Sequence, residues 1–325
     1  MKRTFLIAAA ALVCWTPLST AYAQAAYPAD RPITLIVPFA AGGGTDILAR
    51  LVAEKLGEDV RQTVVVDNKP GANGIIAIRA LERAKPDGHT LMFGSSSTHV
   101  LAPLMAEDKA LMETVRKQTA LVGMVADTPL VLAVNSTSEA GSLELFLQAA
   151  RRQSLTYGTY GSGSSPHVLG ALLAAETKAK LTHVAYKGSS PAITDLRGGH
   201  IDSVFLTVAA VSVQVEAKEM RPLAVTGPRR VQTLPDVPTF KEAGVAGLED
   251  SGWFAVFAPA GTPSPALDKL HASIAKAMAL PAMQGKLVEL GLQYVPVSRV
   301  QGQLNWDRSI ASTRKMLKNV KIGAQ

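Results

Sequence analysis

Short β-branched runs, each followed by a small-residue loop and then a helix, constrain this chain more than any other feature. Ile33-Thr34-Leu35-Ile36-Val37 reads as a strand. The loop Pro38-Phe39-Ala40-Ala41-Gly42-Gly43-Gly44-Thr45 follows it. From Asp46 to Leu56 the spacing turns helical, with Ile47, Leu48, Leu51, Val52 and Leu56 on one face. Val64-Val65-Val66 starts a second such unit, with a Gly/Asn loop from Asn68 to Gly74 and a helix from about Ile75 to Ala84. Thr90-Leu91-Met92-Phe93 starts a third, ending in Gly94-Ser95-Ser96-Ser97-Thr98. The order β-α-β-α-β implies a parallel sheet with helices on its faces.

A second set begins near residue 122. Its predicted strands are Leu130–Val134, Thr156–Gly158, Thr182–Val184, Ser203–Leu206 and Leu223–Val225. Its predicted helices are Leu143–Arg151, His167–Lys178 and Pro191–Arg197. After one more strand, Trp253–Phe257, the chain supplies mostly helices: Pro265–Leu280, Met283–Gly291 and Val300–Lys318. These fit best packed back on the first unit. The expected organisation is α/β with two lobes, each a mostly parallel sheet flanked by helices. Residues 24–124 and 252–325 form a discontinuous first lobe, and residues 125–251 an inserted second one. Two crossings, near Val122–Pro129 and Ser251–Val256, act as a hinge beside a cleft.

The N-terminus has the three parts of a secretory signal. Met1-Lys2-Arg3 is positive, Phe5 to Val13 is apolar, and Ala21-Tyr22-Ala23 is an A-x-A cleavage site. Residues 1–23 are therefore expected to be removed. The apolar run is too short to span a membrane. The single cysteine, Cys14, lies inside this segment, and Val13 before it does not suit a lipid-anchor site. Export without disulfides points to a soluble periplasmic protein stabilised by its core, for which 325 residues that are 47% hydrophobic suffice. The formal charge of +7 includes Lys2 and Arg3, and the remaining basic residues are scattered, in pairs at most. That pattern excludes a nucleic-acid footprint and weakly favours a small anion.

Four loops share one design: Ala41–Asp46, Gly94–His99, Gly161–His167 and Lys187–Pro191. Each ends a strand and opens a helix, the edge of an open α/β sheet where ligands bind. Free backbone N–H groups at a helix N-terminus favour an anion, and Ser and Thr hydroxyls add donors. With two loops per lobe, a carboxylate could be held between the lobes without an arginine. A single such loop is equally explained as a tight turn with an N-cap. The candidate ligand residues are Ala41, Gly42, Gly43 and Asp46, then Ser96 and Thr98, then Gly163, Ser164, Ser165 and His167, with Gly188, Asp195 and Thr207. Phe39 and Tyr186 are candidates for one wall. Asp46 could instead serve only as a first-turn helix acid, and Asp195 as a solvated helix residue.

Other chemistries find little support. Gly42-Gly43-Gly44 is followed by Ile47 where a dinucleotide fingerprint needs glycine, and no phosphate-binding P-loop occurs. Gly163-Ser164-Ser165-Pro166-His167 lacks the final glycine of a hydrolase elbow. Ser164, His167 and Asp195 can still be assembled on paper as a triad, so a secreted α/β serine hydrolase is the alternative. The histidines lack metal-ligand spacing. No catalytic residue, metal or cofactor is expected.

Several blocks resemble one family in order along nearly the whole mature chain. They are Ile36–Asp46 with Ala49-Arg50, Val64–Gly74, Pro86–Leu91, Tyr157–His167, His183–Gly188 with Pro191-Ala192 and Asp195-Leu196, Leu234–Thr239, Glu242-Ala243-Gly244 and Ala258–Pro263. Together they resemble the receptors of tripartite tricarboxylate transporters, the Bug family. The resemblance implies a hinged, two-lobed periplasmic binding protein of type II-like topology, and the chain is expected to be a monomer. It implies a small organic anion as ligand: a mono- or dicarboxylate, an amino acid or an aromatic acid. Membrane permease subunits or a sensor protein would be the partners. Residues 101–121 depart from the family pattern and read as a charged helix.

Overall fold

Alternation along β1 (Ile33–Val37) shows how the first core forms: Ile33, Leu35 and Val37 enter one layer of packing and Ile36 the other. The computed structural model describes residues 27–28, 31–42, 44–106, 108, 110–249 and 251–319; the predicted signal 1–23 and the candidate Gly43 lie outside these. After β1 come α1 (Gly44–Val60), β2 (Val64–Asn68), α2 (Ile75–Glu82), β3 (Thr90–Ser95), α3 (Ala102–Met105), α4 (Leu111–Gln118) and β4 (Thr119–Thr128). The second set is β5 (Leu130–Asn135), α5 (Leu143–Arg152), β6 (Leu155–Thr159), α6 (Ser165–Thr177), β7 (Leu181–Ala185), α7 (Ser189–Arg197), β8 (Ser203–Thr207), α8 (Val208–Glu216) and β9 (Met220–Val225). The chain ends with β10 (Gly252–Pro259), α9 (Ser264–Ala279), α10 (Pro281–Glu289) and α11 (Arg299–Asn319).

Two five-stranded sheets result, ordered β2-β1-β3-β10-β4 and β7-β6-β8-β5-β9. The orders correspond strand for strand. In each sheet the three strands β2-β1-β3 or β7-β6-β8 run parallel. The next strand is antiparallel to both neighbours, and it is the first strand laid down after the chain arrives from the other lobe. The mostly parallel expectation holds, with one reversed strand per sheet.

Helices cover both faces of each sheet. On the first, Leu48, Val52 and Leu56 of α1 and Leu270 and Ile274 of α9 pack with Leu35 and Phe93. On its other face, Ile78, Leu81 and Val115 pack with Trp306 of α11. The second lobe has two further cores, one around Phe146, Phe205 and Phe240, the other around Val204, Leu206 and Val211.

Three stretches differ from the sequence reading. Residues 101–121 form two short helices and then enter β4 at Thr119, instead of one charged helix. Leu111, Met112 and Val115 of α4 turn into the core, leaving Arg116 to pair with Asp307 of α11 at 2.7 Å. Strand β4 itself runs ten residues, where the sequence showed only a crossing. Helix α8 was not foreseen, because its valines favour strand locally. Burial of Val208, Val211 and Ser212 at helical spacing overrides that preference.

Candidate functional site

At the end of β1 the chain turns through Gly42, whose φ of 82° is open to glycine at no steric cost. Asp46, in the first turn of α1, is buried. Its Oδ2 accepts from the Gly42 amide at 2.9 Å and from Arg50 Nε at 2.8 Å. Its Oδ1 accepts from the side-chain amide of Asn68 at 2.8 Å. Asn68 Nδ2 also donates to the Phe39 carbonyl at 2.9 Å, tying the end of β2 to the loop. Burial works to raise the Asp46 pKa, but the bonds from Arg50, Gly42 and Asn68 outweigh it and hold the group below its ordinary value. Both carboxylate oxygens thus shape the loop, leaving Phe39 half-buried and Ala41 and Gly42 exposed at its rim.

The loop between β2 and α2 approaches closely. A Cβ on Gly74 would lie 2.5 Å from Thr98 Cγ2 and 3.3 Å from Pro38 Cβ, so this glycine lets three strand ends converge. Thr98 is fully buried. Its Oγ1 accepts from the Ser95 amide at 2.9 Å, and the Ser95 carbonyl accepts from it at 3.1 Å, closing the turn after β3. Ser96 is half-buried beside it.

In the second lobe, Gly161 to Ser164 lead into α6, with Pro166 in its first turn. Ser164 Oγ donates to the Gly161 carbonyl at 2.6 Å. The Gly163 amide donates to His167 Nδ1 at 3.0 Å, so that nitrogen is an acceptor. His167 stacks on His183 with ring centroids 3.8 Å apart. Burial holds the His167 pKa down; burial, helped by His167, pushes His183 down to about 4. Both rings are therefore neutral at pH 7. His183 Nε2 lies 2.7 Å from Thr159 Oγ1. Tyr186, after β7, donates its hydroxyl to Asp195 Oδ2 at 2.7 Å. Burial, followed by Asp195, raises the Tyr186 pKa to about 12. Gly188 caps α7 with φ 139°, and Thr207 caps α8.

The two rims meet. Ser97 Oγ lies 2.8 Å from Ser165 Oγ and accepts from the Ser165 amide at 3.3 Å. Asn73 Nδ2 donates to the Ser162 carbonyl at 2.6 Å. A cavity of about 120 Å³ lies between the lobes, lined by Ser96, Leu101, Ser165, Leu169, Gly252 and residues of α11. Among the described residues no ionisable side chain lines it.

This geometry offers hydroxyls, amides and helix N-termini from both lobes, a setting for an anion. It does not assemble a nucleophile with a base. Ser164 is bonded to its own loop, His167 Nδ1 is taken by Gly163, and Asp195 holds Tyr186. Among the described residues no group of three or more His, Cys, Asp or Glu could hold a metal ion. No helix of the described residues is long and apolar enough to cross a membrane. The sequence reading passed over Asn68, Asn73, Ser97 and His183 as site residues. Asn73 stood within a glycine-rich loop and Ser97 within a serine run, but nothing local told which side chain faces the other lobe.

Residues 48–320 match the family profile of the tripartite tricarboxylate transporter family receptor. A solved structure described as a periplasmic transporter is similar at 33% identity and a TM-score of 0.85, covering 92% of this chain and all (100%) of that one. Rpa4515 of R. palustris with adipate is 33% identical, with a TM-score of 0.84, over 90% of this chain and 98% of its own. MatC (Rpa3494) from Rhodopseudomonas palustris with bound malate is 27% identical, with a TM-score of 0.79, over 88% and 99%.

Proposed function

We propose, for a chain that belongs to the tripartite tricarboxylate transporter receptor family, that it binds one small organic carboxylate between its lobes in the periplasm. It hands that ligand to a membrane permease. The observation that carries this reading is the meeting of helix-opening loops from both lobes, at Ser97 with Ser165 and at Asn73 with Ser162. Donors from Phe39–Asp46, Ser96–Thr98, Gly163–His167 and Tyr186–Gly188 surround the ligand, with Asp195 and Thr207 behind them. Adipate in one relative and malate in another support a carboxylate. The lobe that carries β1 to β4 and β10 to α11 moves as one body and the lobe from β5 to β9 as the other, about Pro129 and the stretch between β9 and β10.

A thermal-shift screen of dicarboxylates, amino acids and aromatic acids tests the reading, since a ligand of the native state raises the melting temperature. One carboxylate bound per chain and recovered unchanged is the expected result. Failure of every carboxylate to bind, or conversion of the ligand, would overturn it.

A further inference from the structure

We propose that Asn73 is a closure residue: its side-chain amide enters the Gly161-Ser162-Gly163 turn of the other lobe and holds the lobes together. This rests on the two-lobed receptor reading and gives a role within it to Asn73, which is not among the ligand donors named there. Three observations converge on the pair.

The receiving turn is shaped for an incoming side chain. Gly161 and Gly163 have φ of 151° and 72°. A Cβ on Gly163 would lie 3.0 Å from Asn73 Nδ2, and one on Gly161 would lie 3.8 Å from Asn73 Oδ1. A side chain on Gly163 would crowd the Asn73 amide, while one on Gly161 would stand in ordinary contact with it. The turn is also braced from within, by Ser164 Oγ on the Gly161 carbonyl and by His167 Nδ1 under the Gly163 amide. The Ser162 carbonyl between these braces accepts the Asn73 amide at 2.6 Å.

The donating loop is equally prepared. Asn73 has φ 51°, a left-handed conformation that asparagine tolerates better than most residues. Gly74 seats the loop against Thr98 and Pro38, next to Ser97. Ser97 then makes the second contact, with the hydroxyl and first helical amide of Ser165. Two short polar contacts thus reach the one loop that opens α6, from Asn73 after β2 and from Ser97 after β3.

A contact present only when the lobes meet stabilises the closed form alone. It slows ligand release without touching the ligand, and leaves the encounter with the open form unchanged. Asn73→Gly keeps the left-handed backbone and removes the amide. Asn73→Asp keeps the shape and sets an acceptor against the Ser162 carbonyl.

The experiment places one spin label on α1 and one on α5 of the mature chain and measures their separation without ligand. Both variants should shift the distribution to longer distances, with melting temperatures close to that of the parent. An unchanged distribution overturns the proposal. Adipate is then used as probe in stopped-flow binding. Loss of one such hydrogen bond should raise the dissociation rate about tenfold, with association little changed. A dissociation rate equal to the parent's in both variants also overturns it. If the parent does not bind adipate, the carboxylate reading suffers, while the label distances still decide the role of Asn73.

Discussion

Asn68 and Asp46 are joined by a 2.8 Å hydrogen bond from amide to carboxylate, across the gap between the end of β2 and the first turn of α1. With Gly42 and Arg50 on the other oxygen, the carboxylate is the hub of the first loop. In Asp46→Asn, one of these donors loses its acceptor in a buried place. The unliganded protein should lose about 1–3 kcal/mol of stability, read by denaturant unfolding. Affinity for a carboxylate should fall only as far as the loop loosens. Tenfold weaker binding at an unchanged melting temperature would instead make Asp46 a direct ligand contact.

Gly74→Ala tests the convergence of strand ends. The new methyl would meet Thr98 Cγ2 at 2.5 Å, at a backbone φ of 92°. Overpacking of this kind costs about 1–3 kcal/mol, and the left-handed strain adds about 1–2 kcal/mol. A variant as stable as its parent in a chemical denaturation curve would show that the loop yields.

Tyr186 presents its ring while Asp195 occupies its hydroxyl. Tyr186→Phe should therefore keep ligand affinity within about twofold, since the wall remains. The cost to stability should be about 1 kcal/mol or less, because half-buried Asp195 can turn to water. A tenfold loss of affinity, measured by calorimetry, would place the hydroxyl on the ligand instead.

Stability should decline in mild acid. His99 is fully buried, stacked 3.7 Å from Phe257, and burial pushes its pKa to about 3. His183 is pushed to about 4 by burial and then by His167. Free histidine titrates near 6.5, so below that pH the unfolded chain takes up protons that the folded chain refuses. Folding stability is therefore complete above about pH 6.5 and falls as the pH drops toward 4, by at most about 1.4 kcal/mol per pH unit for each group. Half-exposed His183 contributes less than that limit. Unfolding curves at pH 7.5, 5.5 and 4.5 check this, and His183→Gln should flatten the slope. A melting temperature constant over this range would contradict it.

Much of the architecture was legible in local pattern. Ile33 to Val37 announces a strand by β-branching, and Leu48, Val52 and Leu56 announce a helix by spacing. The glycine-rich joints between them put candidate ligand groups at strand ends. Such signals act within a few residues, through backbone sterics and the burial of one face, so the chain determines them wherever it folds. The insertion of β10 between β3 and β4, the helical state of the α8 valines and the opposition of two rims had no local signal. Asn73 and Ser162 are 89 positions apart, and Ser97 and Ser165 are 68 apart. Only packing of both sheets around the hinge brings those groups within hydrogen-bonding distance. Polar side chains of one composition therefore divide into loop braces such as Asp46 and lobe contacts such as Asn73. What separates them is which neighbours the tertiary fold supplies, because a hydrogen bond forms only where a donor and an acceptor are brought within about 3 Å.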